Sequence, residues 1–113
     1  MFQGIGQLAN LMKQLPRIRE EAMKLQERVG QIVADGDAGA GMVKVKVNGR
    51  MELIVCEISE DVFKSHDREM LEDLIKAAVN QALGKARQQV AEETSKMATG
   101  LGVPPGMELP GMG

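Results

Sequence analysis

Few residues in this chain have the chemistry to do catalysis, and their spacing does not bring them together. His66 is the single histidine and stands beside Asp67 at an expected helix start. One histidine without a second imidazole or a paired thiol cannot complete a typical zinc site, so His66 reads as a surface residue. Cys56, the single cysteine, sits among apolar neighbours in an expected strand, where a thiol usually serves as a small hydrophobe. Asp35-Gly36-Asp37 begins like a calcium loop but lacks the later ligand positions. The run GDAGAG has the glycines of a phosphate loop, yet no Lys-Ser/Thr follows it, and it leads into a strand instead of a helix. Glu72 and Asp73 read as a charged helix face. These residues give no catalytic residues, no metal site and no cofactor, and the chain reads as a non-enzyme without a small-molecule substrate.

Charge placement is more informative than charge total. The 113 residues carry 14 Lys and Arg against 16 Asp and Glu, whereas DNA-binding domains are usually basic overall. Residues 1–33, however, hold five basic side chains (Lys13, Arg17, Arg19, Lys24, Arg28) and three acidic ones. Lys85 and Arg87 lie in a second stretch, 81–91, that has no acid. A local patch of this kind suffices to hold phosphate. An ordinary solvated helix face with pairs such as Glu20–Lys24 would look similar.

The elements that would position these side chains follow from periodicity. Leu8, Leu11, Leu15, Ile18, Ala22, Leu25, Val29 and Ile32 are spaced alternately by three and four, the seam of a helix lying along another helix. The spacing predicts a helix over 6–33, about 40 Å long. Pro16 either kinks it or marks its effective start. Ala34 to Gly41 reads as a turn, with a short strand over Ile32 to Asp35. Val43, Val45 and Val47 alternate with Lys44 and Lys46, a strand with one apolar face. Asn48-Gly49 predicts a two-residue type I′ turn, and Met51 to Ile58 the return strand. Ser65 is expected to cap a helix from about His66 to Ala98, with Leu71, Leu74, Ala78, Ala82 and Ala86 on its main stripe. Residues 1–99 thus read as one domain and 100–113, rich in Gly and Pro, as a mobile tail.

The resulting fold class is α+β: a long N-terminal helix, a small antiparallel sheet of two or three strands, and a long C-terminal helix. Helices of this length cannot be wrapped around so small a sheet. Leu53, Ile54, Val55 and Cys56 are consecutive, so the return strand presents apolar groups on both faces. One face would pack on the helices and the other on a second copy of the chain, with Val43, Val45, Val47, Met51, Leu53, Ile54 and Val55 as the dimer interface. The alternative is a monomer in which both helices straddle the sheet. The N-terminus has no basic segment followed by an unbroken apolar run, and no segment approaches the ~20 apolar residues of a membrane span. With one cysteine there is no intrachain disulfide. The expectation is a cytoplasmic protein without membrane contact.

The segments NLMKQ, GDAGAGMVKVKVNG, DREMLEDLIKAAVNQAL and PPGMELPG, in this order, resemble the YbaB/EbfC family of bacterial nucleoid-associated proteins over almost the whole chain. The resemblance implies an α/β subunit with a small antiparallel sheet between two helices, and a homodimer whose helices project as arms. It also implies binding to double-stranded DNA with little or modest sequence preference, a place in the nucleoid, and roles in nucleoid organisation and gene regulation. By matched position it points to Lys13, Lys85 and Arg87 as DNA contacts. Arg17, Arg19, Lys24 and Arg28 join them from the charge distribution alone. Pro16 and the strand exit Cys56-Glu57-Ile58-Ser59-Glu60 depart from the family pattern. A reading of another class, a helical adaptor gripping other proteins through apolar faces, is suggested by the seam and nine methionines.

Overall fold

The computed structural model describes residues 2–102. Helix α1 (Phe2–Gln31) leads into a three-stranded antiparallel sheet, β1 (Val33–Ala38), β2 (Val43–Asn48) and β3 (Leu53–Ile58), in sequential order. A short helix α2 (Glu60–Lys64) and the long helix α3 (Arg68–Gly100) complete the chain. The expected α+β architecture is observed. The tail expected over 100–113 lies, from residue 103 on, outside the described residues.

The sheet's apolar side is built by one strand and one helix. Val43, Val45 and Val47 are at most 1% exposed, and between them Lys44 and Lys46 point to solvent. Ala78, Ala82 and Ala86 of α3 lie on them, each at 0% exposure. Alanine lets the helix backbone approach closely, and at Gly36 of β1 the approach leaves no room for any side chain: a Cβ there would overlap the Ala78 carbonyl oxygen. This contact explains why β1 runs through Asp35-Gly36-Asp37, where the sequence suggests a turn. Glycine is there for contact with the helix, and the backbone N–H of Asp37 donates to Gln81 of α3 (2.8 Å). The turn proper is confined to Gly39–Met42, with positive φ at Gly39, Ala40 and Gly41.

The second turn also differs from expectation. Asn48-Gly49 does not form a two-residue type I′ hairpin; positive φ falls instead on Met51 (63°). Asn48 organises a longer loop through its side chain: Oδ1 accepts from the N–H of Arg50 (2.9 Å) and of Glu52 (3.0 Å). Such local bonding is the habit of Asn in turns. Gly49 is pressed against the Val29 carbonyl at the end of α1, and its N–H donates to the Ile32 carbonyl (3.1 Å). The loop therefore docks the sheet on α1.

The helix boundaries shift in the same way. α1 continues through Pro16 without a break. Ser65 ends α2 instead of starting α3. The N-cap of α3 is Asp67, which accepts from the Met70 N–H (3.0 Å). His66 stands between the two helices with φ 56°, exposed. The Cα radius of gyration is 20.7 Å, against ~13 Å for a compact chain of about this length. The excess comes from α1 and α3, which pair antiparallel away from the sheet and form an arm.

Candidate nucleic-acid interface

The arm carries most of the basic residues singled out above, and the helix geometry sorts them. At 3.6 residues per turn, Lys13, Arg17, Lys24 and Arg28 fall within roughly 60° of one another, a row about 22 Å long on the side of α1 away from its apolar seam. Arg19 falls outside that row. Lys13, Arg17 and Arg19 are exposed, and no acidic residue occurs before Glu20. Arg17 also donates to the Gly100 carbonyl at the end of α3 (3.1 Å), which fixes the level at which α3 stops alongside α1. Positive charge there also suits a helix C-terminus.

Nearer the sheet the row is neutralised. Lys24 pairs with Glu20 (3.4 Å) and Glu21 (3.7 Å). Arg28 pairs with Glu93 of α3 (3.3 Å), which also holds Lys96 (3.4 Å). Arg28 is therefore a tie between the two helices of the arm and offers less to a phosphate than its place in the row suggests.

Lys85 and Arg87 do not form one site. Two residues apart on a helix, they lie roughly 200° apart, on opposite flanks of the alanine stripe. Lys85 leans to the β1 edge, where it rims an open hollow with Asp35, Asp37, Lys44, Lys46 and Glu57. The cross-strand pairs there alternate in sign, Asp35 opposite Lys46 and Lys44 opposite both Asp37 and Glu57, so that face is balanced and not basic. Arg87 is exposed and, among the described residues, has no carboxylate within ion-pairing distance.

The residues expected at a dimer interface divide sharply. Val43, Val45 and Val47 are buried within the subunit and have no surface left to offer. Met51 is half-buried and packs against the same core. Leu53 and Ile54 remain 49% exposed, and Val55 is half-buried. Register explains the run Leu53–Cys56. Leu53 pairs with Val47 and Val55 with Lys46, so Ile54 is the extra residue of a β-bulge. Cys56 and Ile58 stand opposite Val45 and Val43, on the same face of the sheet as those valines, yet α3 packs on β1 and β2 and leaves them exposed. Cys56 is thus not the buried hydrophobe its neighbours suggested. A further open apolar side chain is Phe63 of α2, the element that follows β3, at 72% exposure. Phe63 is not among the interface residues expected from the sequence. The signal for α2 was Ser59 followed by Glu60-Asp61, a cap and an acidic first turn.

Among the described residues no three His, Cys, Asp or Glu side chains gather as a metal-binding group. No described helix is long and apolar enough to cross a membrane.

Comparison with known proteins shows the family and the fold. The family model of the YbaB/EbfC DNA-binding family matches residues 4–101. A nucleoid-associated protein of Thermoanaerobacter pseudethanolicus is 45% identical over 103 residues, covering 91% of this chain and 93% of its own. One from Caldanaerobacter subterraneus subsp. tengcongensis is 42% identical over 103 residues, with the same shares covered. Among solved structures, an uncharacterized protein of Helicobacter pylori superposes with a TM-score of 0.62 at 24% identity, covering 82% of this chain and 94% of its own, which shows a shared fold. A match that takes in the arm, the sheet and α3 together has one meaning: the chain belongs to the YbaB/EbfC DNA-binding family.

Proposed function

We propose that the protein binds duplex DNA as a homodimer, mainly through phosphate electrostatics, and that it acts in the nucleoid, in the cytoplasm, in DNA organisation and gene regulation. The observation that carries this reading is the acid-free outer arm of α1, with Lys13, Arg17 and Arg19 exposed on a helix that projects from the sheet. Its support is the family and the nucleoid-associated relatives. Arg87 adds to the contact from α3, and Lys85 does so from the rim of a charge-balanced face. Lys24 and Arg28 contribute less, because carboxylates already occupy them.

The dimer reading rests on the exposed apolar side chains of β3, Leu53, Ile54, Cys56 and Ile58, with Phe63 of α2 exposed as well. An exposed apolar edge strand invites pairing or coverage, and a twofold dimer is the commonest way to provide it. Phosphate contacts position a protein without reading bases, so affinity should vary little with sequence. If two subunits make about six phosphate contacts, affinity for a random-sequence duplex should fall by roughly 10³ between ~50 and ~200 mM salt. Fluorescence anisotropy at the two concentrations measures this. Binding indifferent to salt sinks the electrostatic mechanism, and a single-chain mass in light scattering sinks the dimer.

A further inference from the structure

The seam of α1 is one continuous pattern, but only its inner part has a partner. From Ile18 inward α3 lies against it; Leu25 is 4% exposed, and Met97 and Ala98 of α3 are buried alongside. The Arg17–Gly100 bond marks where α3 stops. Beyond that point the same spacing continues with Leu15 at 40%, Leu11 at 53% and Leu8 at 57% exposure, flanked by Met12 at 61%. Isolated single leucines at a surface are unremarkable. Three on one helical face, in register with a seam that is covered further along, are a coiled-coil face without its second helix.

We propose that this outer seam pairs antiparallel with the same segment of a second copy, joining one dimer to another at the arm tips. The heptad reading favours a self-pair over another occupant. With Leu8 and Leu15 at a and Leu11 at d, an antiparallel partner puts Leu8 against Leu11 and Leu11 against Leu8, so the face is self-complementary, and the partner's helix, which starts at Phe2, reaches only to the level of Arg17, where α3 stops. The e and g positions beside these leucines hold Gln7, Met12 and Gln14, which are uncharged and carry no repulsion into the contact, and the next e position, Arg19, lies inward of it. Lys13 falls at f and Arg17 at c, both turned away from the seam. Pairing therefore leaves Lys13 and Arg17 on the outside and brings two such sets together, so one assembly could hold two duplexes. The contact area is well below that of a standard stable interface, so the association is weak and dependent on concentration.

The inference rests on the homodimer reading, and sedimentation equilibrium of the full chain separates the two. Expected are two-chain species at low concentration and four-chain species at high concentration, with Leu11→Glu held at two chains throughout. A wild-type protein that stays at two chains at every concentration overturns tip pairing and leaves the dimer standing. A one-chain mass overturns both. A second test avoids the charge change: Met12→Cys in a Cys56→Ser background, treated with a short bismaleimide, should give a covalent two-chain product whose yield rises with protein concentration. Yield independent of concentration would place the contact inside one dimer and overturn the proposal, as would absence of product.

Discussion

β2 and β3 lie side by side, are similar in length and are comparably apolar, yet their fates differ. Each valine of β2 is sealed beneath α3, whereas β3, with Leu53, Ile54, Cys56 and Ile58, stays open. The difference is the course of one helix: α3 crosses β1 and β2 and leaves β3 beyond its reach. Apolar character is thus a demand for cover, and topology decides whether the chain itself or another molecule supplies it. The contact that fixes this course is Gly36 against Ala78 and Ala82. Gly36→Ala should force the helix off the sheet and cost about 3 kcal/mol, the upper range for overpacking. The sealed half of the comparison breaks first, and a thermal melt followed by circular dichroism reads it. An unchanged melting temperature would mean that α3 can slide, and that the sealing of β2 is not set at this point.

The open half should behave oppositely. Leu53→Glu combined with Ile54→Glu changes two side chains that are each 49% exposed, so each subunit should keep its fold. What should disappear is the two-chain species in light scattering, together with the concentration dependence that assembly gives to a melting temperature. A variant that remains dimeric would move the interface to another face, with Val55 and the Lys44–Lys46 side the next to test.

Sequence legibility followed the same division. The valine alternation, the α1 seam and the alanine stripe were readable because burial imposes a period of 2 or about 3.5 on residue type. The roles of Gly36 and Gly49 were not, since a glycine required for close backbone contact looks in sequence like a glycine required for a turn. Val43, Val45 and Val47 were readable as apolar but not as intramolecular; nothing local tells which cover a strand receives. The bulge at Ile54 was hidden for a related reason, because a run of four apolar residues implies two buried faces unless one residue is extra. The basic residues were readable as charges, but their partners were not. Glu93 lies 65 positions from Arg28 in a different helix, and only the antiparallel arm brings them together.

That last point sets a finer comparison along α1, between its acid-free outer cations and its neutralised inner ones. Lys13→Gln, present once in each subunit, should lower the slope of log affinity against log salt by about 2 for the dimer and weaken binding to all sequences alike. Lys24→Gln should change the slope less, because Glu20 and Glu21 already compete for that ammonium group. Equal effects in a salt titration would erase the distinction between outer and inner arm.

Glu93→Gln probes the boundary with the smallest expected effect. Arg28 and Glu93 are both partly exposed, and pairs of this kind are worth at most about 1 kcal/mol, so the melting temperature should barely move. DNA binding should nevertheless strengthen at low salt, for two reasons with the same sign. One carboxylate repelling phosphate is removed from each arm, and Arg28 and Lys96 are both released from it. The salt slope should then steepen by up to about 2 for the dimer, as Arg28 joins the row begun by Lys13 and Arg17. A stronger affinity with an unchanged slope would mean that repulsion alone was relieved and that Arg28 stays with α3. The interface would then end at the level where α3 stops alongside α1, and the inner arm would serve only to hold the outer one in place.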